Sequence, residues 1–155
     1  MANNNYWLIR QKQNEKYSYQ SSKSNKQRTY DNNVTKLNRL YKAKSTLVSQ
    51  KSSANDRYKS VKSYVESSDY SYNWKGNKAN KTKNNISGNI VSSYSAYVKL
   101  IDNHLDALCD EITRIENQNK QLRGDILYLG SLINSLANEI GKLFNWKELV
   151  KVWAW

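Results

Sequence analysis

Two side chains could do covalent or acid–base chemistry at neutral pH: His104, the only histidine, and Cys109, the only cysteine. A nucleophilic thiol needs a base within hydrogen-bonding reach and a loop that seats a substrate. Both residues fall instead inside a regularly patterned, helix-like stretch with no loop beside them. His104 lies between apolar positions of that stretch and reads as a solvated or packed side chain. Cys109 flanks the same positions and reads as a small packing residue. One cysteine excludes an internal disulfide, and one histidine with one cysteine supplies no metal-ligand set of the usual kind. The expectation is a non-enzymatic chain with no catalytic residue, cofactor or metal.

The remaining chemistry is charge and aromatic surface. The chain carries 25 Lys and Arg against 13 Asp and Glu, a net charge of +12. Residues 1–100 hold 19 of the basic and 5 of the acidic residues, and residues 101–155 hold 6 and 8, so the surplus belongs to the N-terminal two-thirds. A surplus of this kind attracts nucleic acid, an anionic membrane face or an acidic protein. Through residues 10–83 Lys and Arg alternate with Tyr, and tyrosines between basic residues can stack on unpaired bases. A basic coiled-coil protein binding nucleic acid or an anionic surface is therefore one reading. Against it, the charges are thinly spread, with no run like the DNA-contacting region of a zipper.

The elements that would position these groups are helices. There is no proline in 155 residues, so nothing interrupts a helix at the ~3 kcal/mol an interior proline costs. From Ile101 the apolar residues alternate by four and three, the period that keeps one stripe facing a partner helix. One position reads Leu105, Ile112, Asn119, Ile126, Ile133, Ile140, and its companion Leu108, Ile115, Leu122, Leu129, Leu136, Leu143. A looser pattern continues upstream through Ile86, Ile90, Tyr94, Tyr97 and Ile101. Residues 34–65 carry a thinner stripe of Val34, Leu37, Leu40, Leu47, Ala54, Tyr58, Val61 and Val65, interrupted by Lys44 and Lys51. The polar stretch 10–33, with Tyr17, Tyr19 and Tyr30, extends the first helix. Trp74 and Gly76 close a Ser-, Asn-, Asp- and Tyr-rich connection, the glycine allowing a tight reversal and the indole pinning it.

These elements predict an all-α fold: an elongated antiparallel helical hairpin with a long coiled-coil-like second helix. Its first helix spans about 6–66, its turn 67–77 and its second helix about 78–143, making 1–143 one hairpin. Residues 144–155 form a Trp-rich tail. No stretch reaches the ~20 apolar residues of a membrane span, and the short Tyr6–Ile9 run is too brief for a signal-peptide core.

The seam is the expected binding site. Ile at one position with Leu at the other favours two-stranded parallel packing, and a buried Asn119 would fix register. In a parallel homodimer, however, Glu111 would meet Glu116, a like-charge contact that disfavours self-pairing. Leu127, Leu132 and Ala137 widen the stripe, as suits a helix with more than one neighbour. With only residues 34–65 well patterned in the first helix, the stretch from Leu122 to Leu143 outlasts its internal partner. An exposed stripe of that size calls for a foreign helix.

Trp74-Lys75-Gly76-Asn77-Lys78-Ala79, the polar helix before it and the Ile/Leu-repeating helix after it resemble the Trp-X-Gly family of small secreted helical hairpins. The closer likeness, over residues 6–143, is to LXG-toxin-associated helical proteins of Gram-positive bacteria. That resemblance implies a chaperone-like targeting partner that binds the helical N-terminal domain of an LXG toxin, sometimes with a second small helical protein, and promotes export by type VII secretion. It implies a cytoplasmic protein before export, one able to be secreted itself without a cleaved signal peptide, and no small-molecule substrate. Members of this superfamily carry an export motif after the hairpin, an aromatic followed four residues later by an acid. Phe144 and Glu148 match it, a coincidence that so aromatic a composition also produces by chance. The chain departs from the family in its greater length and its tryptophan-rich end.

Overall fold

In the computed structural model, residues 2–67 and 76–152 are described, with side chains described for residues 6–67 and 76–144. Three α-helices account for nearly all of them: α1, Ala2–Glu66; α2, Asn77–Asn85; and α3, Ser92–Val152, the last two joined by a π-helical segment, Ile86–Val91. The fold is an all-α helical hairpin, and no strand occurs among the described residues. Polar residues sustain α1 through local pairing. Tyr19 donates to Glu15 at 3.0 Å and Gln27 to Asp31 at 3.0 Å, each one turn away. Thr29, Thr35, Thr46 and Ser60 donate their hydroxyls to carbonyls four residues back, so these four are satisfied within the helix itself.

The second arm begins at Gly76, whose φ of 108° and ψ of 178° lie in a region open essentially to glycine alone. Its carbonyl accepts the Asn80 amide at 3.1 Å, closing the first turn of α2. Trp74, the other residue of the expected turn motif, lies outside the described residues.

Both arms contribute to each of two compact units, residues Met1–Lys36 with Ile115–Trp155, and residues Leu37–Arg114. In the first, Lys12 pairs with Glu139, Lys26 with Asp125 at 2.7 Å, and Asn33 with Asn119 at 3.0 Å. The numbers run in opposite senses, so the segments are antiparallel. In the second, Lys51 meets Asp102 at 2.5 Å, and the core gathers Ala54, Val65, Ala79, Ile101 and Ile112.

The second unit corrects the upstream register. Ile90 and Tyr97 are exposed, at 45% and 47%, while Val91 and Val98 turn inward with Ile86, Tyr94 and Ile101. Inward positions run 79, 83, 86, 91, 94, 98, 101, so one interval of five interrupts the alternation of three and four. The π-helical segment spans that interval. A wider turn absorbs one inserted residue and returns the stripe to the same face.

At the other end, α3 does not stop at 143. It runs to Val152, because the residues after Gly141 are helix formers with neither proline nor glycine among them. The expected tail is thus helical at least as far as Val152, and Trp153 to Trp155 lie outside the described residues.

Candidate partner interface

With heptad positions lettered so that Ile126 is a and Leu129 is d, α3 turns a and d inward throughout the first unit. Ile115, Asn119, Leu129, Leu136 and Ile140 are buried, and Leu122, Ile126, Ile133 and Leu143 are half-buried. In the second unit Ile112 is buried and Leu105 and Leu108 are half-buried. None of the twelve seam residues is exposed. The expectation that the seam outlasts its internal partner is therefore overturned: α1 is helical back to Ala2, and in the first unit its residues 9–33 cover the stretch from Leu122 to Leu143.

That coverage was hard to see because α1 uses polar side chains for it. Its inward positions continue the same alternation through Ile9, Lys12, Lys16, Tyr19, Lys23, Lys26, Tyr30 and Asn33. Lysine suits such a place, since its methylene stem lies along apolar surface while the ammonium reaches the rim. Lys12 and Lys26 reach Glu139 and Asp125 there. Val34, counted in the stripe from sequence, is instead 37% exposed. Six of the fourteen Lys and Arg of α1 (12, 16, 23, 26, 44 and 51) lay their stems in the seam as half-buried residues, and Lys12, Lys26 and Lys51 are neutralised there by Glu139, Asp125 and Asp102.

Asn119 is 7% exposed, and its Oδ1 accepts from Asn33 Nδ2, which also lies 3.3 Å from Gln118 Oε1. The amide expected to fix register does meet another amide, one in its own chain and in an antiparallel helix. This is the antiparallel pairing of the expected hairpin, not the parallel pairing that the Ile and Leu positions favour when taken alone. Glu111, the residue argued to oppose a homodimer, is engaged locally by the Arg114 guanidinium through two contacts at 2.7 and 2.9 Å.

Among the described residues, three ionisations are displaced from their ordinary values. The hydrogen bond from Lys12, then its charge, holds the Glu139 carboxyl below the usual carboxylate range. Hydrogen bonding to Glu15, then its negative charge, raises the Tyr19 phenol, and Glu111 raises the Arg114 guanidinium in the same order of causes. Each displacement belongs to an ion pair or hydrogen bond of the helix surface. His104 is exposed and Cys109 half-buried. Among the described residues no three His, Cys, Asp or Glu side chains converge, and no helix is long and apolar enough to cross a membrane.

Of the export-motif candidates, Phe144 is 44% exposed and Glu148 lies four residues on in α3, its side chain outside the described set. Sequence reasoning missed the seam positions of residues 9–33. The signal was present as a strict three-four spacing of Lys, Tyr and Asn, which a search for apolar residues passes over.

A family model described as YwqH-like matches residues 14–138. Comparison with curated proteins and with solved structures gives no match.

Proposed function

Because the chain belongs to the YwqH-like family, we propose that it is a non-enzymatic helical partner of a toxin, binding the helical N-terminal domain of an LXG-type toxin and promoting its type VII export. The hairpin resemblance noted from the Trp74-Lys75-Gly76 segment points to the same class of partner.

One observation carries the reading. A helix lying against α3 covers one side of its ridge, and Leu122, Ile126, Ile133 and Leu143 remain only half-buried beneath α1. Over that stretch α1 offers mostly lysine stems and tyrosine rings, with Ile9 the branched apolar side chain among its inward positions. Further helices packed against a two-helix unit complete such a core, as in a bundle. The partner's role is thus to finish a core begun inside this chain, rather than to cover a naked stripe.

Co-expression with the helical domain of the toxin encoded beside it, followed by size-exclusion chromatography, tests the binding. A stable complex is expected. An unchanged monomer in the presence of that domain refutes it. Export is tested separately by deleting the gene and measuring the toxin in the medium, which should fall while the cellular pool persists.

The nucleic-acid reading is weaker, since Lys12, Lys26 and Lys51 of α1 are neutralised by acids of the second arm. Retention of nucleic acid at low salt, lost steeply as salt is added, would revive it.

A further inference from the structure

The two flanks of the first unit are chemically different. In an antiparallel pair, positions e and b of one helix border the same flank as e and b of the other, and g and c border the opposite one. With α1 lettered so that Ile9 is a and Lys12 is d, the three acids within residues 6–28 and 119–144, Glu15, Asp125 and Glu139, all occupy g. Two ion pairs between the helices, Lys12 with Glu139 and Lys26 with Asp125, close that g flank.

The e flank carries no acid over the same residues. Its charges are Arg10, Lys120 and Arg123 at e and b, joined by the Lys23 ammonium, which lies 3.3 Å from the Cβ position of Gly130. Apolar side chains are exposed here too, Leu127 at 75% and Phe144 at 44% on α3 and Tyr17 of α1 at 68%, against Tyr128 at 65% on the g flank. Between Leu127 and Phe144 the e and b positions are Gly130, Asn134, Ala137 and Gly141. Among the described residues nothing beyond its own helical turn lies within 4 Å of a Cβ added at Gly141, so their packing gives no reason for a residue that weakens a helix.

We infer that this e flank is the docking face, and that its occupant is an amphipathic helix of another protein whose apolar stripe is bordered by Asp and Glu. This rests on, and sharpens, the partner reading above. The stripe lies on Leu127 and Phe144, the small residues admit its backbone closely, and its acids meet Arg10, Lys23, Lys120 and Arg123. The g flank, already neutralised by its own acids, offers such a helix no comparable attraction.

Two probes separate the face from the toxin. In the first, the full chain carries a photo-crosslinking amino acid at Leu127 or Asn134, or on the other flank at Tyr128 or Ser22, and is co-expressed with the toxin's helical domain. Adducts from Leu127 and Asn134 should exceed the others at least tenfold. Equal or stronger adducts from Tyr128 and Ser22 overturn the face while leaving the toxin reading intact. Adducts joining two copies of this chain overturn the occupant.

In the second, a synthetic amphipathic helix with Ile and Leu on one stripe and Glu along its borders is compared with the same helix bordered by Lys. The Glu-bordered helix should bind the full chain at least tenfold more tightly, and Leu127→Arg or the Lys120→Glu, Arg123→Glu pair should remove that preference. Leu127, Lys120 and Arg123 are exposed, so these variants keep the hairpin, checked by circular dichroism. Equal binding of both helices overturns the charge argument. Preference for the Glu-bordered helix without any toxin complex keeps the face and removes the toxin.

Discussion

Replacing Asn33 by Ala should destabilise the hairpin more than replacing Asn119, although both ends of one hydrogen bond are being cut. Asn119 is 7% exposed, whereas Asn33 is half-buried and has Gln118 beside it. Asn33→Ala strips the Asn119 oxygen of its donor in a nearly dry site, which costs about 1–3 kcal/mol for an unsatisfied buried group. Asn119→Ala leaves Asn33 able to turn to water or Gln118, and forfeits about 0.5–1.5 kcal/mol for the bond itself. Asn119→Leu removes the buried polar group altogether and continues the apolar row, so it should be neutral or stabilising.

Urea unfolding followed by far-ultraviolet circular dichroism measures these differences, and the double alanine variant closes a cycle whose coupling should be roughly 0.5–1.5 kcal/mol. In a chain of this size a change of 1 kcal/mol shifts Tm by about 2–4 °C, which is readily resolved. Single losses within about 0.5 kcal/mol, the range of an ordinary surface site, together with zero coupling, would refute the antiparallel register from which the seam and both flanks are drawn.

Gly76→Ala should cost about 1–3 kcal/mol through backbone strain alone, because no atom crowds the added methyl; a thermal melt unchanged from wild type would contradict the conformation. Deleting Gly88 should shorten the interval from Ile86 to Val91 to four and restore a continuous α-helical seam. Such a variant should hold or raise Tm, whereas deleting Asn103, in the regular part of α3, should lower it sharply. Ile115→Ala, at the most deeply buried side chain, should lose about 2–5 kcal/mol in the same urea assay. Finally, Glu139 has a carboxyl pKa depressed below its unfolded value by Lys12. Its contribution is present above the ordinary carboxylate pKa and is lost as pH falls through the depressed value. Melts of wild type and Glu139→Gln should therefore differ at neutral pH and converge in acid, and a difference that grows on acidification would show the sign to be wrong.

Much of the interface was legible one residue at a time. The Ile and Leu rows of α3 needed only their spacing, and Asn119 stood out as the single polar member. Less legible was the matching row in α1, where Lys12, Lys16, Lys23 and Lys26 count as surface on any hydropathy scale yet lie in the seam. Ile90 and Tyr97 misled for a different reason: each is an apolar residue one place before an inward position, and the frame of α3 carried back from Ile101 runs through Val98, Tyr94 and Val91 instead.

The sequence by itself determined that the chain is helical and that α3 must bury one stripe, since the absence of proline and the three-four period are properties of the covalent chain. Only the tertiary structure decided what lies on that stripe. Coverage depends on which side chains meet across the hairpin, and a lysine stem laid along a leucine ridge covers it without being apolar. Which flank is neutralised by its own acids and which stays basic is likewise settled by the antiparallel register, because that register places Glu139 beside Lys12 and Asp125 beside Lys26.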